Sequence, residues 1–152
     1  MTAAHQPAPE LACWPVRIYW EDTDAGGVVY YANYLKFYER ARTEWLRSLG
    51  WSQSLLKEQT GGMFVVSQIQ TQYLKPAVLD DLLCVTTRIQ EAGRASLILS
   101  QTIVRYTDTD VPPALATGTV LCEATVRMGW VQAQTLSPTR IPASVLQSMR
   151  LS

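Results

Sequence analysis

The stretch EDTDAGGVVYYANY, residues 21–34, combines carboxylates, glycines and aromatic residues within a short span. The acids come first, Gly26 and Gly27 follow, and an apolar run then leads into a predicted helix. The first turn of a helix presents unpaired backbone N–H groups with partial positive charge, which can polarise a carbonyl oxygen. A carboxylate shortly before it, such as Asp24, can act on the same carbonyl carbon directly or through one water. The predicted pocket is lined by Val28, Val29, Tyr30 and Tyr31.

The same residue types also have a structural interpretation. Asp and Gly before a helix are ordinary turn and cap residues, so their spacing alone does not establish catalysis. Asp22 fits a capping or turning role better than a catalytic one. Glu39 and Arg42, three residues apart on the predicted helix, either form a structural ion pair or face the site across a subunit boundary.

Composition excludes several classes of function. The single histidine, His5, lies in the N-terminal arm, which counts against Ser-His-Asp and Cys-His nucleophiles and against histidine-ligated zinc, and we expect no metal or cofactor. Thirteen basic and thirteen acidic residues cancel without a long run of either sign, which argues against nucleic-acid binding. No segment approaches the ~20 apolar residues of a membrane span, and the sequence predicts a cytoplasmic protein. The three cysteines lack metal-type spacing and are expected to be reduced.

Hydrophobic periodicity divides the chain into one long helix and several strands. WPVRIYW alternates from Trp14 to Trp20 and predicts a strand. From residue 33, NYLKFYERARTEWLRSLG has the period of a helix with a broad apolar face, capped by Asn33 and stopped at Gly50. A shorter helical piece is predicted around residues 54–58. Four long alternating runs follow, at residues 64–74, 82–92, 94–106 and 116–128.

These elements predict an α+β fold. Long strands joined by short turns form an antiparallel, strongly twisted sheet, against which the long helix buries its apolar face. We expect one such domain over residues 13–152, after a flexible arm at residues 1–12. The opposite face of strands such as SLILSQTIV is not polar throughout, so a dimer or a larger symmetric oligomer is expected.

The segment YWEDTDAGGVVYYANYLKFYERARTEWLRSLGW, residues 19–51, resembles the signature of hotdog-fold acyl-CoA thioesterases, especially the branch associated with the tol-pal system. The related 4-hydroxybenzoyl-CoA thioesterases share its D-x-D, its turn of small residues and its apolar pair. Later in the chain, QYLKPAVLDD and LSPTRIP fit the same family. The resemblance implies a hotdog fold, a long antiparallel sheet wrapped around one central helix. It also implies hydrolysis of a short-chain or aromatic acyl thioester of coenzyme A or of acyl carrier protein.

The resemblance also implies roles for individual residues. Asp24, the second aspartate of the D-x-D, would be the catalytic carboxylate, acting either as nucleophile or as general base. Tyr31, seven positions later, would direct its backbone N–H at the thioester oxygen, while Gly27 and Val28 would line the acyl-thioester channel. The tol-pal branch commonly has histidine in place of Tyr31 and tyrosine in place of Trp20. The backbone donor survives that change, whereas a side-chain role does not carry over.

Coenzyme A carries phosphates, which arginine side chains bind well. Four arginines could bind these phosphates, namely Arg88, Arg94, Arg105 and Arg127, and the sequence alone does not distinguish them. We select Arg94, which follows the Gly93 turn, as the predicted substrate-binding residue. Two other functions compete with hydrolysis. Hydroxyacyl-thioester dehydratases share the fold but typically rely on a catalytic histidine, which argues against them. The alternative is a non-catalytic module that binds an acyl thioester or acyl carrier protein.

Overall fold

The computed structural model describes residues 13–107 and 118–149, and it contains one antiparallel sheet with three helices. The strands are β1 (Trp14–Arg17), β2 (Gly62–Tyr73), β3 (Leu82–Ala92), β4 (Ser96–Tyr106) and β5 (Thr119–Gln132). The helices are α1 (Asn33–Ser48), α2 (Gln53–Thr60) and α3 (Ala143–Ser148). The strand order across the sheet is β1-β3-β4-β5-β2, so β1 and β2 form its two edges. Every neighbouring pair is antiparallel, as predicted.

The core lies between α1 and one face of the sheet. From the helix, the side chains that are buried include Tyr34, Phe37, Tyr38, Ala41, Trp45 and Leu46. From the sheet, the same cluster contains Leu83, Val85, Leu97, Leu99, Ile103 and Val126. Each large apolar side chain buried in this way stabilises the fold by about 1.5–3 kcal/mol. The predicted class, α+β with one sheet wrapped around one long helix, is confirmed.

The ends of the helices agree in part with the prediction. Gly50 has a φ of 95° and follows the end of α1, as predicted for a left-handed stop residue. The predicted cap at Asn33 is wrong: Ala32 holds the N-cap position without a side-chain bond, and Asn33 is the first helical residue. The Asn33 side chain instead donates from Nδ2 to the carbonyl oxygen of Asp22 at 2.9 Å. The short helix predicted near residues 54–58 is α2, which begins after the capping side chain of Ser52.

The first strand is shorter than its alternation predicts. Val16 and Ile18 are buried as expected, but the strand ends at Arg17 and the side chain of Trp20 is 79% exposed. The backbone N–H of Tyr19 donates to Oδ2 of Asp22 at 2.8 Å, and this bond starts a short 3₁₀ turn over Trp20–Asp22. The capping role predicted for Asp22 is therefore confirmed, and it explains why Trp20 leaves the sheet.

A buried polar network crosses the core beneath α1. Arg42 is 6% exposed, and its guanidinium donates to Oε2 of Glu39 at 2.6 Å and to Oε1 of Gln101 at 2.9 Å. Gln101, fully buried on β4, donates from Nε2 to the Tyr38 carbonyl and to the Thr87 hydroxyl. Burial lowers the pKa of Arg42, and Glu39 opposes that shift. The structural ion pair predicted for Glu39 and Arg42 is thus confirmed.

The opposite face of the sheet is polar in its middle and apolar at its ends. On β4 it carries Ser100 and Thr102 between Ile98 and Val104, because alternate residues of a strand point to opposite faces. A cavity of about 700 Å³ opens on this face and is lined by Gln70, Thr71, Gln72, Arg88, Ser100, Thr102, Glu123, Ala124 and Thr125.

The structure differs from the prediction in the state of two cysteines. Cys13 and Cys84 form a disulfide that joins the residue before β1 to β3, whereas all three cysteines were expected to be reduced. Cys122 is free and buried on β5, as expected. The four-residue register between β1 and β3 holds the same two strands together independently of the sulfur pair.

The remaining features concern the ends of the chain. Helix α3 was not predicted, although its Val145 and the following Met149 are buried and join the core. The predicted arm at residues 1–12, with His5, lies outside the described residues. Within the described ranges, none of the helices combines the length and the apolarity needed to cross a bilayer.

Candidate active site

The acidic motif folds back on itself as a short hairpin before α1. Asp24 N–H donates to the carbonyl oxygen of Val28 at 2.9 Å, Thr23 pairs with Val29, and Tyr30 N–H donates to the carbonyl oxygen of Asp22 at 2.9 Å. At the tip, Gly27 N–H donates to the Asp24 carbonyl oxygen at 3.0 Å, and Gly27 has a φ of 81°. The hairpin thus places the D-x-D on one arm and the residues leading to α1 on the other.

The Asp24 carboxylate is held at the tip of this hairpin. Its Oδ1 accepts the backbone N–H of Gly26 at 2.8 Å. Asp24 is exposed in the single chain and does not line the cavity next to Tyr31. One carboxylate oxygen is therefore fixed by the backbone, and within residues 13–107 and 118–149 the other has no hydrogen-bond partner and faces outward.

The backbone N–H of Tyr31 is available as a donor. The peptide that joins Tyr30 to Tyr31 directs its carbonyl at Asn33 N–H, at 2.8 Å. Because the N–H and C=O of a trans peptide point in opposite directions, the Tyr31 N–H points away from Asn33. It has no hydrogen-bond partner among the described residues. It therefore adds an outward-facing donor to the positive end of α1.

A cavity of about 250 Å³ adjoins Tyr31, and we call it the tyrosine pocket. It is lined by Val29, Tyr31, Tyr34, Tyr73, Leu74, Lys75 and Pro76. The ring of Tyr73 meets that of Tyr34 at a centroid distance of 5.4 Å and that of Tyr31 at 6.3 Å. The pocket is thus mostly apolar and aromatic, with Lys75 as the charged residue in its lining.

Two of the phenols in this pocket are fixed by backbone hydrogen bonds. Tyr34 is 3% exposed, and its hydroxyl accepts the N–H of Ala77 at 3.0 Å. The hydroxyl of Tyr73 donates to the carbonyl oxygen of Tyr31 at 3.0 Å. Desolvation raises the pKa of both tyrosines above the ordinary value of 10.0. Both hydroxyls therefore stay protonated at neutral pH.

The predicted pocket residues are only partly assembled in one chain. Val29 and Tyr31 line the tyrosine pocket, whereas Val28 pairs with Val78 outside its lining. Gly27 lies at the hairpin tip, and Tyr30 is 45% exposed beside Tyr31 at a ring-centroid distance of 5.0 Å. Gly27, Val28 and Tyr30 thus stay beside the motif without lining this cavity.

Within one chain, Arg94 lies far from the Asp24 motif and from the tyrosine pocket. It lies in the turn between β3 and β4, where its carbonyl accepts the N–H of Ile141. The motif adjoins the other end of β3, since Ile18 N–H donates to the Asp81 carbonyl there. An 11-residue strand separates the two ends by roughly 30 Å, at about 3.3 Å per residue.

Five residues that line the tyrosine pocket were not predicted from the sequence, namely Tyr34, Tyr73, Leu74, Lys75 and Pro76. Tyr34 belongs to the helix whose broad apolar face was predicted to pack on the sheet, and it is buried there, but its hydroxyl also reaches the pocket segment at Ala77. Tyr73 and Lys75 lie about 40 residues from the motif and meet it only through strand pairing. The segment QYLKPAVLDD, which resembles the family, was the only signal that pointed to them.

Solved structures with the same architecture include thioesterases. A probable thioesterase from Bartonella henselae superposes with a TM-score of 0.74 at 31% identity, covering 87% of this chain and 99% of that one. A mutant 4-hydroxybenzoyl CoA thioesterase complexed with 4-hydroxybenzoyl CoA superposes with a TM-score of 0.80, covering 91% and 97% of the two chains. Its identity is 18%, so this second likeness shows the fold alone. The fold is the hotdog fold that the sequence resemblance implied.

The family profile of the thioesterase superfamily matches residues 26–112, and the chain belongs to that superfamily. Its enzyme class is thus thioester hydrolase, as predicted. Among particular proteins, it is 42% identical to acyl-CoA thioesterase YbgC of Haemophilus influenzae, over 87% of this chain and 89% of that protein. It is 36% identical to acyl-CoA thioesterase YbgC of Helicobacter pylori (strain ATCC 700392 / 26695), over 83% and 90% of the two chains.

Proposed function

We propose that the protein hydrolyses acyl-CoA thioesters to a free acid and coenzyme A. The names of the relatives that cover most of the chain support this substrate class. The mechanism rests on the Tyr31 N–H at the start of α1, which has no hydrogen-bond partner in the described part of the chain and follows a hairpin whose tip holds the Asp24 carboxylate. An amide donor and an acid on one short segment are the two elements that acyl transfer requires.

The proposed reaction uses Asp24 in one of two roles. As a general base, its carboxylate takes a proton from water while the water oxygen bonds to the thioester carbon. As a nucleophile, the carboxylate oxygen bonds to that carbon itself, and water hydrolyses the resulting anhydride. In both routes the carbon–sulfur bond breaks, the thiolate of coenzyme A leaves and takes up a proton, and the Tyr31 N–H stabilises the oxyanion.

The tyrosine pocket supports a compact acyl group as the substrate. About 250 Å³ accommodates a short aliphatic chain or a single aromatic ring, and the rings of Tyr31, Tyr34 and Tyr73 offer it apolar contact. Coenzyme A is part of the substrate in this proposal, and no metal or cofactor takes part. An acyl group carried by acyl carrier protein presents the same thioester.

A second copy of the chain is part of the proposal. Strand β2 is a 12-residue edge, and long unpaired edges are normally covered in native proteins. Exposed apolar side chains lie along this edge and beside the motif, namely Trp20, Tyr31, Val66, Tyr73 and Leu74. Symmetric association of two copies, as a dimer or within a tetramer, would cover these residues and enclose Asp24. Arg94 would then reach the substrate's phosphates only from the partner copy.

The proposed location is the cytoplasm, where coenzyme A thioesters are made and used. Disulfides are rare in that reducing compartment. The enzyme must therefore keep its fold there with Cys13 and Cys84 reduced, and the register between β1 and β3 supports that requirement.

The test of the catalytic acid compares two carboxylates of the same motif. Asp24→Asn keeps the acceptor for Gly26 N–H but removes the charge, and we expect kcat to fall by about 10²-fold or more. Glu21→Gln removes an exposed charge three residues earlier and should leave kcat unchanged. Free thiol is measured across short, long and aromatic acyl-CoAs. Equal rates for the native enzyme and Asp24→Asn would reject the assignment.

The test of the amide donor uses two substitutions at one position. Tyr31 holds the second position of the turn Tyr30–Asn33, where proline is favoured, so Tyr31→Pro removes the N–H and keeps the turn. We expect kcat to fall by about 10²-fold, whereas Tyr31→Ala, which keeps the N–H, loses far less. If acyl-CoAs bind to the native protein without turnover, the protein is a binding module and the hydrolase proposal is wrong.

A further inference from the structure

Tyr73, the last residue of β2, connects the edge strand to the start of α1. Its hydroxyl donates to the carbonyl oxygen of Tyr31 at 3.0 Å, across 42 residues of sequence. Its ring packs edge-on against Tyr31, with an interplanar angle of 90°, and tilted against Tyr34. The two ring contacts hold the phenol in place, so its hydroxyl is aimed at one backbone carbonyl.

The carbonyl that accepts this bond belongs to the central peptide of a turn. The turn Tyr30–Asn33 is closed by Asn33 N–H at 2.8 Å from the Tyr30 carbonyl oxygen. Ala32 has φ −72° and ψ −19°, close to the third position of a type I turn. Type I and type II turns differ by a half-rotation of this central peptide. Its orientation therefore decides whether an N–H or a C=O points to each side of the turn.

Within the described residues, the Tyr73 hydroxyl is the only hydrogen-bond partner of that peptide. Ala32 N–H, its other polar group, has none among them. The Tyr31 side chain is 63% exposed, so packing holds it only weakly. Without the bond from Tyr73, the peptide can turn its carbonyl toward the side where the proposed reaction needs donors.

We propose that Tyr73 is a positioning residue, whose hydroxyl holds the Tyr31–Ala32 peptide with its carbonyl turned away from the side of the Tyr31 N–H, so that this carbonyl does not repel the oxyanion bound there. This inference rests on the proposed function and adds to it a residue of β2. Tyr73 does not touch the reacting atoms, and it acts through the backbone of Tyr31.

The first test removes the hydroxyl alone. Tyr73→Phe keeps both ring contacts, so the variant folds, and we expect kcat to fall about 5- to 10-fold with KM changed less than twofold. The matched control is Tyr38→Phe, which removes a phenol that lies 3.2 Å from the Thr71 hydroxyl on the same strand. The control should lower the melting temperature and leave kcat at the native value. A native kcat for Tyr73→Phe, or an equal loss in both variants, overturns the inference.

The second test asks whether Tyr73 acts through the Tyr31 amide. Tyr31→Pro removes the N–H but keeps the carbonyl that Tyr73 holds. If the amide is the route, adding Tyr73→Phe to Tyr31→Pro changes kcat by less than about twofold. If the two losses multiply, Tyr73 acts by another route and the inference is wrong. A native enzyme that hydrolyses no acyl-CoA rejects the proposed function itself, a result distinct from both.

Discussion

The Asp24 carboxylate and the backbone N–H of Gly26 are joined by a 2.8 Å hydrogen bond, which makes this glycine part of the acid's immediate surroundings. A Cβ added at Gly26 would lie 3.2 Å from Oδ1 of Asp24. A Cβ at Gly27 would meet nothing within 4 Å, but Gly27 has a φ of 81°, which disfavours any other residue. The two adjacent glycines are thus needed for different reasons, one for space beside the acid and one for backbone conformation.

Substitution of each glycine by alanine should separate these two reasons. Gly26→Ala pushes the carboxylate aside by a few tenths of an ångström, so we expect kcat to fall several-fold with little change in the free energy of unfolding. Gly27→Ala forces a left-handed conformation on alanine and should cost about 1–2 kcal/mol of stability. Thiol-release kinetics and urea unfolding of both variants are the measurements. A greater loss of stability in Gly26→Ala than in Gly27→Ala would contradict this assignment.

The fold was predictable where the pattern is local. The apolar period of residues 33–50 predicts α1 and its stop at Gly50, and strand alternation predicts β2 to β5 within a few residues. The end of β1 and the first residue of α1 were missed, because both depend on Asp22. Its side chain accepts Tyr19 N–H and its carbonyl accepts the Asn33 amide. Hydrophobic periodicity does not show which of several competing hydrogen bonds forms at either place.

The candidate site, like the fold, was predictable only where its residues are close together in the sequence. Asp24, Gly27 and Tyr31 lie within eight residues, so their type and order in the sequence indicated an acid, a turn and a helix start. Tyr73 joins them only because β2 forms the sheet edge beside α1, a consequence of the strand order. Spacing along the helix predicted a pair between Arg42 and Glu39 but could not show that Arg42 is buried, which depends on Gln101 of β4.

Stability should fall at alkaline pH because of the buried thiol on β5. Burial raises the pKa of Cys122 from 9.0 to about 12, against a smaller opposing effect of the Tyr38 hydrogen bond. As pH rises above 9.0, the unfolded chain loses this proton while the folded chain keeps it. The unfolded state is therefore favoured, with a slope that approaches about 1.4 kcal/mol per pH unit and ends near the folded pKa.

The control for this pH dependence is Cys122→Ala, which lacks the thiol. Its stability differs from that of the native protein by a constant amount below pH 9, and the difference should then shift in the variant's favour as pH rises. The pKa values of Tyr34, Tyr38 and Tyr73 are also raised, chiefly by desolvation and in part by Cys122, but these tyrosines affect stability mainly above pH 10. Urea unfolding from pH 7 to 10 measures the effect. Parallel curves for the two proteins would show that Cys122 is not the group responsible.

The polar network beneath α1 should show strong coupling between Arg42 and Gln101. Arg42→Met leaves the buried Oε1 of Gln101 without its donor, and we expect a loss of about 1–3 kcal/mol. Gln101→Leu leaves Glu39, whose side chain is 59% exposed, as the arginine's only partner among the residues that the structure describes. In the double variant apolar side chains fill the space of both groups, so the loss should be smaller than the sum by at least about 1 kcal/mol. Urea unfolding of the four proteins gives the coupling free energy, and additive losses would mean that the 2.9 Å bond contributes nothing specific to the core.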